Sequence, residues 1–183
     1  MRFKCFLAAF IAASISMTAF ADSKITSGDP AVLHDNSIVC KVVYDFAKTS
    51  IEDIPFQEYM EQKGEKFVKE WNEEVIPLGL EYYIKAWNKG NKNGLQVAEE
   101  NDGEYRMVIA PSYINLGSTA AAVWIGFGAG GARFDGTISI YKGDTLILEI
   151  LVDNQRAGSN VKARYRFAAL MKELVKDTFG DVL

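Results

Sequence analysis

The residues whose spacing most resembles a chemical device are Gly126, Gly128 and Gly131. With Phe127, Ala129 and Gly130 they spell G-x-G-x-x-G, and the run ends at Arg133. Glycines at this spacing let backbone amides close around a phosphate, and the third normally opens a helix whose N-terminus faces the pyrophosphate. Here residues 132–141 alternate as a strand, with Phe134, Ile138 and Ile140 on it. The context that a dinucleotide site needs is missing, and nucleotide binding is not expected. What the loop could still offer is a nest of amides for an anion beside Arg133.

Other chemistry-bearing residues are sparse. His34 is the only histidine and stands in a polar stretch without converging partners, which reads as a surface loop. Cys40 falls inside an apolar alternation and reads as a small buried hydrophobe, not a reactive thiol. Glu99, Glu100, Asp102 and Glu104 crowd oxygen ligands as calcium would require, but their spacing does not match the twelve-residue calcium loop, so a solvated turn is expected. No serine sits in a nucleophile elbow, no Cys–His pair is apparent, and no helix carries paired histidines. Neighbouring carboxylates such as Glu73 and Glu74 do not share a helical face. No catalytic residues, cofactor or metal are expected, although a spatially assembled site stays open.

The elements that would position these residues begin after a leader. Arg2 and Lys4 precede an apolar run over residues 5–20, and Ala19-Phe20-Ala21 fits the small-x-small cleavage rule. This reads as a secretory signal peptide over residues 1–21. The run is shorter than the roughly 20 residues a membrane-crossing helix needs. Cys5 stands at the start of the run and not just after it, so it is no lipidation site. A periplasmic or secreted location is the consequence. The remaining 162 residues suit one domain. Losing Arg2 and Lys4 takes the net charge from −4 to about −6, with 18 basic against 24 acidic residues, so nucleic acid is not an expected partner. Only Cys40 would survive cleavage, which excludes an internal disulfide.

Residues 22–36 are polar and contain Gly28, Asp29 and Pro30, as expected of a mobile leader or docked arm ahead of a domain spanning 37–183. Ile38, Cys40, Val42, Tyr44 and Phe46 alternate as a strand. Over residues 51–74, Phe56, Met60, Phe67, Trp71 and Val75 recur at helical spacing, with Gly64 near the stripe as a point of close approach to the sheet. Leu80, Tyr83, Ile84 and Trp87 resume that spacing after Pro77, predicting two helices or one kinked at the proline. Residues 95–98 and 105–115 read as strands joined by an Asp-Gly hairpin turn, with Pro111 at an edge or bulge. Residues 120–127 extend as an uncharged apolar strand, 134–141 and 146–152 form a hairpin, and a wide apolar face over 161–179 predicts a closing helix. The expected fold class is α+β: a mainly antiparallel sheet of about four to five strands, with two or three helices packed on one face.

From residue 105 onward the chain resembles a loose group of bacterial envelope proteins. The group includes uncharacterised periplasmic lipoproteins and domains related to the curli secretion lipoprotein and to the N-terminal domain of the Tol translocation protein. The shared pattern is a strand, the segment Gly126-Phe-Gly-Ala-Gly-Gly-Ala132, a hairpin with a Gly-Asp turn, and a closing helix. The chain departs from the group by lacking a lipidation cysteine and by carrying the aromatic helical insert over 56–87. The front half, with Val43-Tyr44-Asp45-Phe46, is similar to small secreted proteins of gut-type anaerobes. The resemblance implies an α/β scaffolding or assembly domain without known catalytic residues.

Two functions are expected in competition. The first is a non-enzymatic domain for protein interaction, self-association or envelope assembly. It would use the apolar strand and glycine loop: Val123, Trp124, Ile125, Phe127, Gly128, Gly130, Gly131 and Arg133. The second is a small-molecule or lipid-binding domain, or a cryptic hydrolase, with Trp71, Tyr82, Tyr83 and Trp87 lining a pocket between helices and sheet.

Overall fold

In a computed structural model, which describes residues 22–117, 131–157 and 163–182, eight strands form one mixed sheet. They are β1 (Asp22–Gly28), β2 (Val39–Tyr44), β3 (Ser50–Ile51), β4 (Ile54–Pro55), β5 (Gln96–Ala98), β6 (Tyr105–Asn115), β7 (Ala132–Lys142) and β8 (Thr145–Ala157). The order is β1-β8-β7-β6-β2-β5, with β3 pairing β6 and β4. The expected four-to-five-stranded, mainly antiparallel sheet is therefore corrected. β2 pairs in parallel with both β5 and β6, and β3 is parallel to β6. The reason lies in the helical insert. The crossover through the helices brings β5 back parallel to β2, and residues 99–104 then carry the chain to the other side of β2, where β6 runs in the same direction. Strands of two or three residues also carry too few side chains to declare a period.

Residues 22–36, expected as a mobile leader or docked arm ahead of the domain, join its sheet through β1. β1 pairs antiparallel with β8, and Ile25 faces Ile150. At Gly28 the chain bends over β8 with φ +92°, and a Cβ there would lie 2.1 Å from the Ile147 carbonyl oxygen. Next comes a 3₁₀ turn (Pro30–His34), capped by the Asp29 side chain. It plants Leu33, fully buried, in the core. The Leu33 carbonyl accepts hydrogen bonds from the Leu95 amide at 3.0 Å and Asn91 Nδ2 at 2.8 Å.

The Asp-Gly hairpin is also corrected: β5 and β6 do not pair with each other but flank β2 on either side. Residues 99–104 cross the end of β2, and the acidic side chains there are held from the sheet, Glu100 by Lys41 at 2.9 Å and Glu104 by Lys142 at 3.1 Å. The β7–β8 hairpin forms as expected around Gly143, whose φ is +56°. Pro111 falls in the gap on β6 between the residues that β2 and β3 pair with. A register slip towards β7 lies beside it, and its carbonyl accepts the Thr49 hydroxyl at 2.7 Å.

Register explains the core. Val42, Met107, Ile140 and Leu148 line up across the sheet, as do Tyr44, Ile109, Ile138, Ile150 and Ile25. The helices sit on this face: α1 (Phe56–Lys63), α2 (Glu65–Glu70), a π-helical turn (Trp71–Val75), α3 (Ile76–Gly90) and α4 (Ala163–Val182). The Tyr83 hydroxyl on α3 donates to Met107 Sδ at 3.2 Å, and Phe167 on α4 packs against Tyr44. Gly79 lets α3 approach: a Cβ there would lie 2.5 Å from the Phe167 ring. On the opposite face Val43, Val108 and Glu149 are half-exposed.

Candidate functional site

The site grows from a break in the helical layer. α1 stops at Gly64, whose backbone takes φ +79° and ψ 172°. This region is essentially reserved for glycine. The Gly64 amide donates to the Met60 and Glu61 carbonyls at 3.1 and 3.2 Å, and its own carbonyl accepts from the Phe67 and Val68 amides at 3.0 and 3.2 Å. One residue thus closes α1 and opens α2. Nothing lies within 4 Å of where its Cβ would be. The close approach to the sheet expected at Gly64 is therefore not what the glycine is for.

Beyond the break the helix is continuous from Glu65 to Gly90, and the break or kink expected at Pro77 is replaced by a π turn just before it. A proline inside an α-helix lacks a donor and crowds the preceding carbonyl. Widening the preceding turn, with the Ile76 amide donating to the Trp71 carbonyl, removes that conflict. π turns of this kind recur at functional positions.

α1 and α2 diverge around Gly64 and leave a groove of about 630 Å³. Phe56, Met60, Val68 and Trp71 line it, and Glu61 and Glu65 stand beside them. The floor is anchored by stacked aromatics. Phe46 and Phe56 lie parallel with centroids 4.7 Å apart, Trp71 meets Phe56 edge-on at 5.9 Å, and Trp71 rests on Phe167 at 5.5 Å. A second cavity of about 380 Å³, lined by Phe46, Thr49, Pro55, Phe56 and Gln57, adjoins the groove, sharing Phe56 and Gln57 with it. At the rim Glu61 Oε1 accepts from Gln57 Nε2 at 3.3 Å, Lys69 lies 4.0 Å from Glu73, and Glu65 has no ion-pair partner among the described residues. The groove can therefore hold an apolar group and meet positive charge at its edge.

The residues expected as sites fare differently. Val123, Trp124, Ile125, Phe127, Gly128 and Gly130 lie outside the described residues. Gly131 is half-buried at the entrance to β7. Arg133 is on β7, where its guanidinium is 2.8 Å from Asp135, 3.9 Å from Asp153, and over the Tyr113 ring at 5.5 Å. Two carboxylates already stand beside its charge.

The four aromatics expected to share a pocket are separated. Tyr83 and Trp87 are fully buried and stack at 5.8 Å. The Trp87 indole donates to the Leu95 carbonyl at 2.9 Å. Tyr82 points to solvent at 37% exposure. It borders a different cavity of about 380 Å³, with Lys85, Ala86, Lys89 and Lys172. Of the four, Trp71 alone reaches the groove. Sequence reasoning missed Met60, Glu61, Glu65 and Val68 as a site, and the available signal was a glycine in the middle of an otherwise regular apolar stripe.

Groups with displaced proton affinity lie in the core, in surface ion pairs or, for Asp35, in a turn where hydrogen bonds from Ser37 lower its carboxyl. Burial pushes the Cys40 thiol up to about 12 and raises Tyr44 and Tyr83 further. The Tyr44 hydroxyl has no hydrogen-bond partner among the described residues. Among those residues, no three His, Cys, Asp or Glu side chains converge as metal ligands, and no helix is long and apolar enough to cross a membrane.

No family model matches the chain, and no curated protein matches it. Among solved structures it is similar to the PelC dodecamer from Paraburkholderia phytofirmans. In one crystal of that protein the identity is 10% and the TM-score 0.44, over 87% of this chain and 97% of that chain. In a crystal of a single-substitution variant the values are 10% and 0.41, over 85% and 95%. Likeness at this level decides neither the fold nor the function of this chain.

Proposed function

We propose that this chain is an exported, non-enzymatic domain that works by protein interaction, taking a segment of a partner into the groove between α1 and α2. One observation carries this reading. The groove has an apolar, aromatic floor and runs past Phe56 into the adjoining cavity, so it suits an extended or helical segment better than a compact molecule. Helix-in-groove recognition needs such a floor with charges at its rim. Export is supported by the basic start, apolar run and small-x-small site within residues 1–21. The resemblance of residues 105–183 to envelope assembly domains supports an envelope setting.

A small apolar ligand is the second reading, favoured by the groove volume, which falls within the range of about 300–1,000 Å³ typical of ligand sites. A photo-crosslinking amino acid at Gln57, which borders both cavities, decides between them in cells that export the protein. A discrete protein adduct from position 57, absent when the same group replaces Lys176 on α4, is the expected result. An adduct pattern identical at both positions, or none at position 57, overturns the reading.

A further inference from the structure

The groove's rim and one exposed helix face of the same chain carry opposite net charge. Along α3, Tyr82, Lys85, Ala86 and Lys89 fall at i, i+3, i+4 and i+7, the spacing of a single helical stripe. Among the described residues Tyr82 is one of the few large apolar side chains left exposed. Its stripe puts an aromatic and a methyl group at the centre and two lysines beside them, and Lys172 of α4 borders the same cavity together with Glu81, leaving three basic side chains against one acidic. The groove presents the complement, with Phe56, Met60, Val68 and Trp71 for the apolar centre and Glu61 and Glu65 for the lysines, while Lys69 on the same lining lies 4.0 Å from Glu73. The imbalance extends beyond these residues. Residues 56–75 carry six acidic and three basic side chains, whereas residues 76–90 carry one acidic and two basic.

We propose that the groove of one copy receives the α3 stripe of a second copy. This rests on the protein-interaction reading and names its partner. Because groove and stripe are different patches of one chain, the contact is head-to-tail, and its repetition closes a ring or extends a filament. Tyr82 fills the apolar floor as the anchor, in the way buried aromatics dominate interfaces. Lys85 and Lys89 meet Glu61 and Glu65, which sets orientation and salt dependence more than affinity. The intrahelical Lys85–Glu81 pair does not prevent this, since exposed pairs of that kind hold weakly.

Sedimentation velocity and light scattering across a concentration series test the proposal with two surface variants that leave the core untouched. One is Glu61→Lys/Glu65→Lys and the other Lys85→Glu/Lys89→Glu. The unaltered chain is expected to associate, and each variant to raise the dissociation constant at least about tenfold, with an unchanged circular dichroism spectrum and melting temperature. An equimolar mixture of the two variants, and a single chain carrying all four changes, are expected to associate again because the charges are once more complementary. A chain that stays monomeric to about 100 μM, association that both variants leave intact, or a mixture that does not re-associate overturns the proposal. The crosslink from Gln57 separates the two failures. An adduct with a different protein beside a monomeric chain sinks the second copy and keeps the groove reading. No adduct at all sinks both.

Discussion

Gly64→Ala isolates the backbone geometry from which the groove is built. At φ +79° and ψ 172° an L-residue is strained by about 1–3 kcal/mol. No atom lies within 4 Å of the added methyl, so no steric term enters. Alanine narrows the unfolded ensemble and returns about 0.4–1 kcal/mol. The net loss is at most about 2.6 kcal/mol, with a middle value of about 1.3 kcal/mol, and at about 2–4 °C per kcal/mol for a domain of this size that middle value lowers the melting temperature by about 3–5 °C. Gly143→Ala is the matched control. It also meets no atom within 4 Å, but its φ of +56° lies in the left-handed helical region, where an L-residue costs about 1–2 kcal/mol and the same return brings the net change to about 1 kcal/mol or less. Urea melts of both variants, read by far-UV circular dichroism, make the comparison. If Gly64→Ala equals or exceeds the parent in stability, α1 and α2 have joined into one helix, the break is not fixed by the glycine, and the groove loses its structural basis.

Gly136→Ala also destabilises, here through contact alone. Its Cβ would stand 2.4 Å from the Ala110 carbonyl oxygen and 2.8 Å from the Pro111 Cα, so β6 and β7 must part at a cost on the order of 3 kcal/mol, visible as a lowered urea midpoint. Tyr44→Phe deletes a buried hydroxyl that has no partner among the described residues, and stability is expected to hold or rise by up to about 1–3 kcal/mol; a loss above about 1 kcal/mol would refute the assignment of that hydroxyl as unsatisfied. The thiol of Cys40 is held protonated by burial up to about 12, against an ordinary value of 9.0, and burial raises Tyr44 and Tyr83 as well. Folded-state values above unfolded ones mean stability that is complete below about pH 9 and lost progressively as pH rises beyond it. A melting temperature that stays flat from pH 8 to pH 11 would contradict the burial of these groups, as would labelling of native Cys40 by a thiol reagent at pH 8.

Where a run of residues was long and one face of it was buried, the sequence declared the element. The alternation Ile38–Phe46, the hairpin turned at Gly143 and the closing helix α4 were legible for that reason. The elements that escaped belong to partners distant in the chain. β1 holds only Ser23 buried and Ile25 half-buried among polar neighbours, and its place is set by β8, more than a hundred residues away. β5 reads as the first arm of a hairpin because Asp102-Gly103 comes after it, yet β2 inserts between the two arms and makes both pairings parallel. No local turn preference can report a strand arriving from elsewhere. The aromatic residues present the same problem in a sharper form. Trp71, Tyr82, Tyr83 and Trp87 share a helical segment, but neighbours such as Tyr82 and Tyr83 stand about 100° apart around α3 and cannot share a face, and the π turn over Trp71–Val75 shifts the phase between Trp71 and α3. Trp71 then belongs to the groove, Tyr83 and Trp87 to the core, and Tyr82 to the surface. Gly64 and Pro77 were both visible as interruptions. Only the structure assigns the break to the first and the widened turn to the second, and that exchange converts an amphipathic helix into a groove with a separate stripe to fill it.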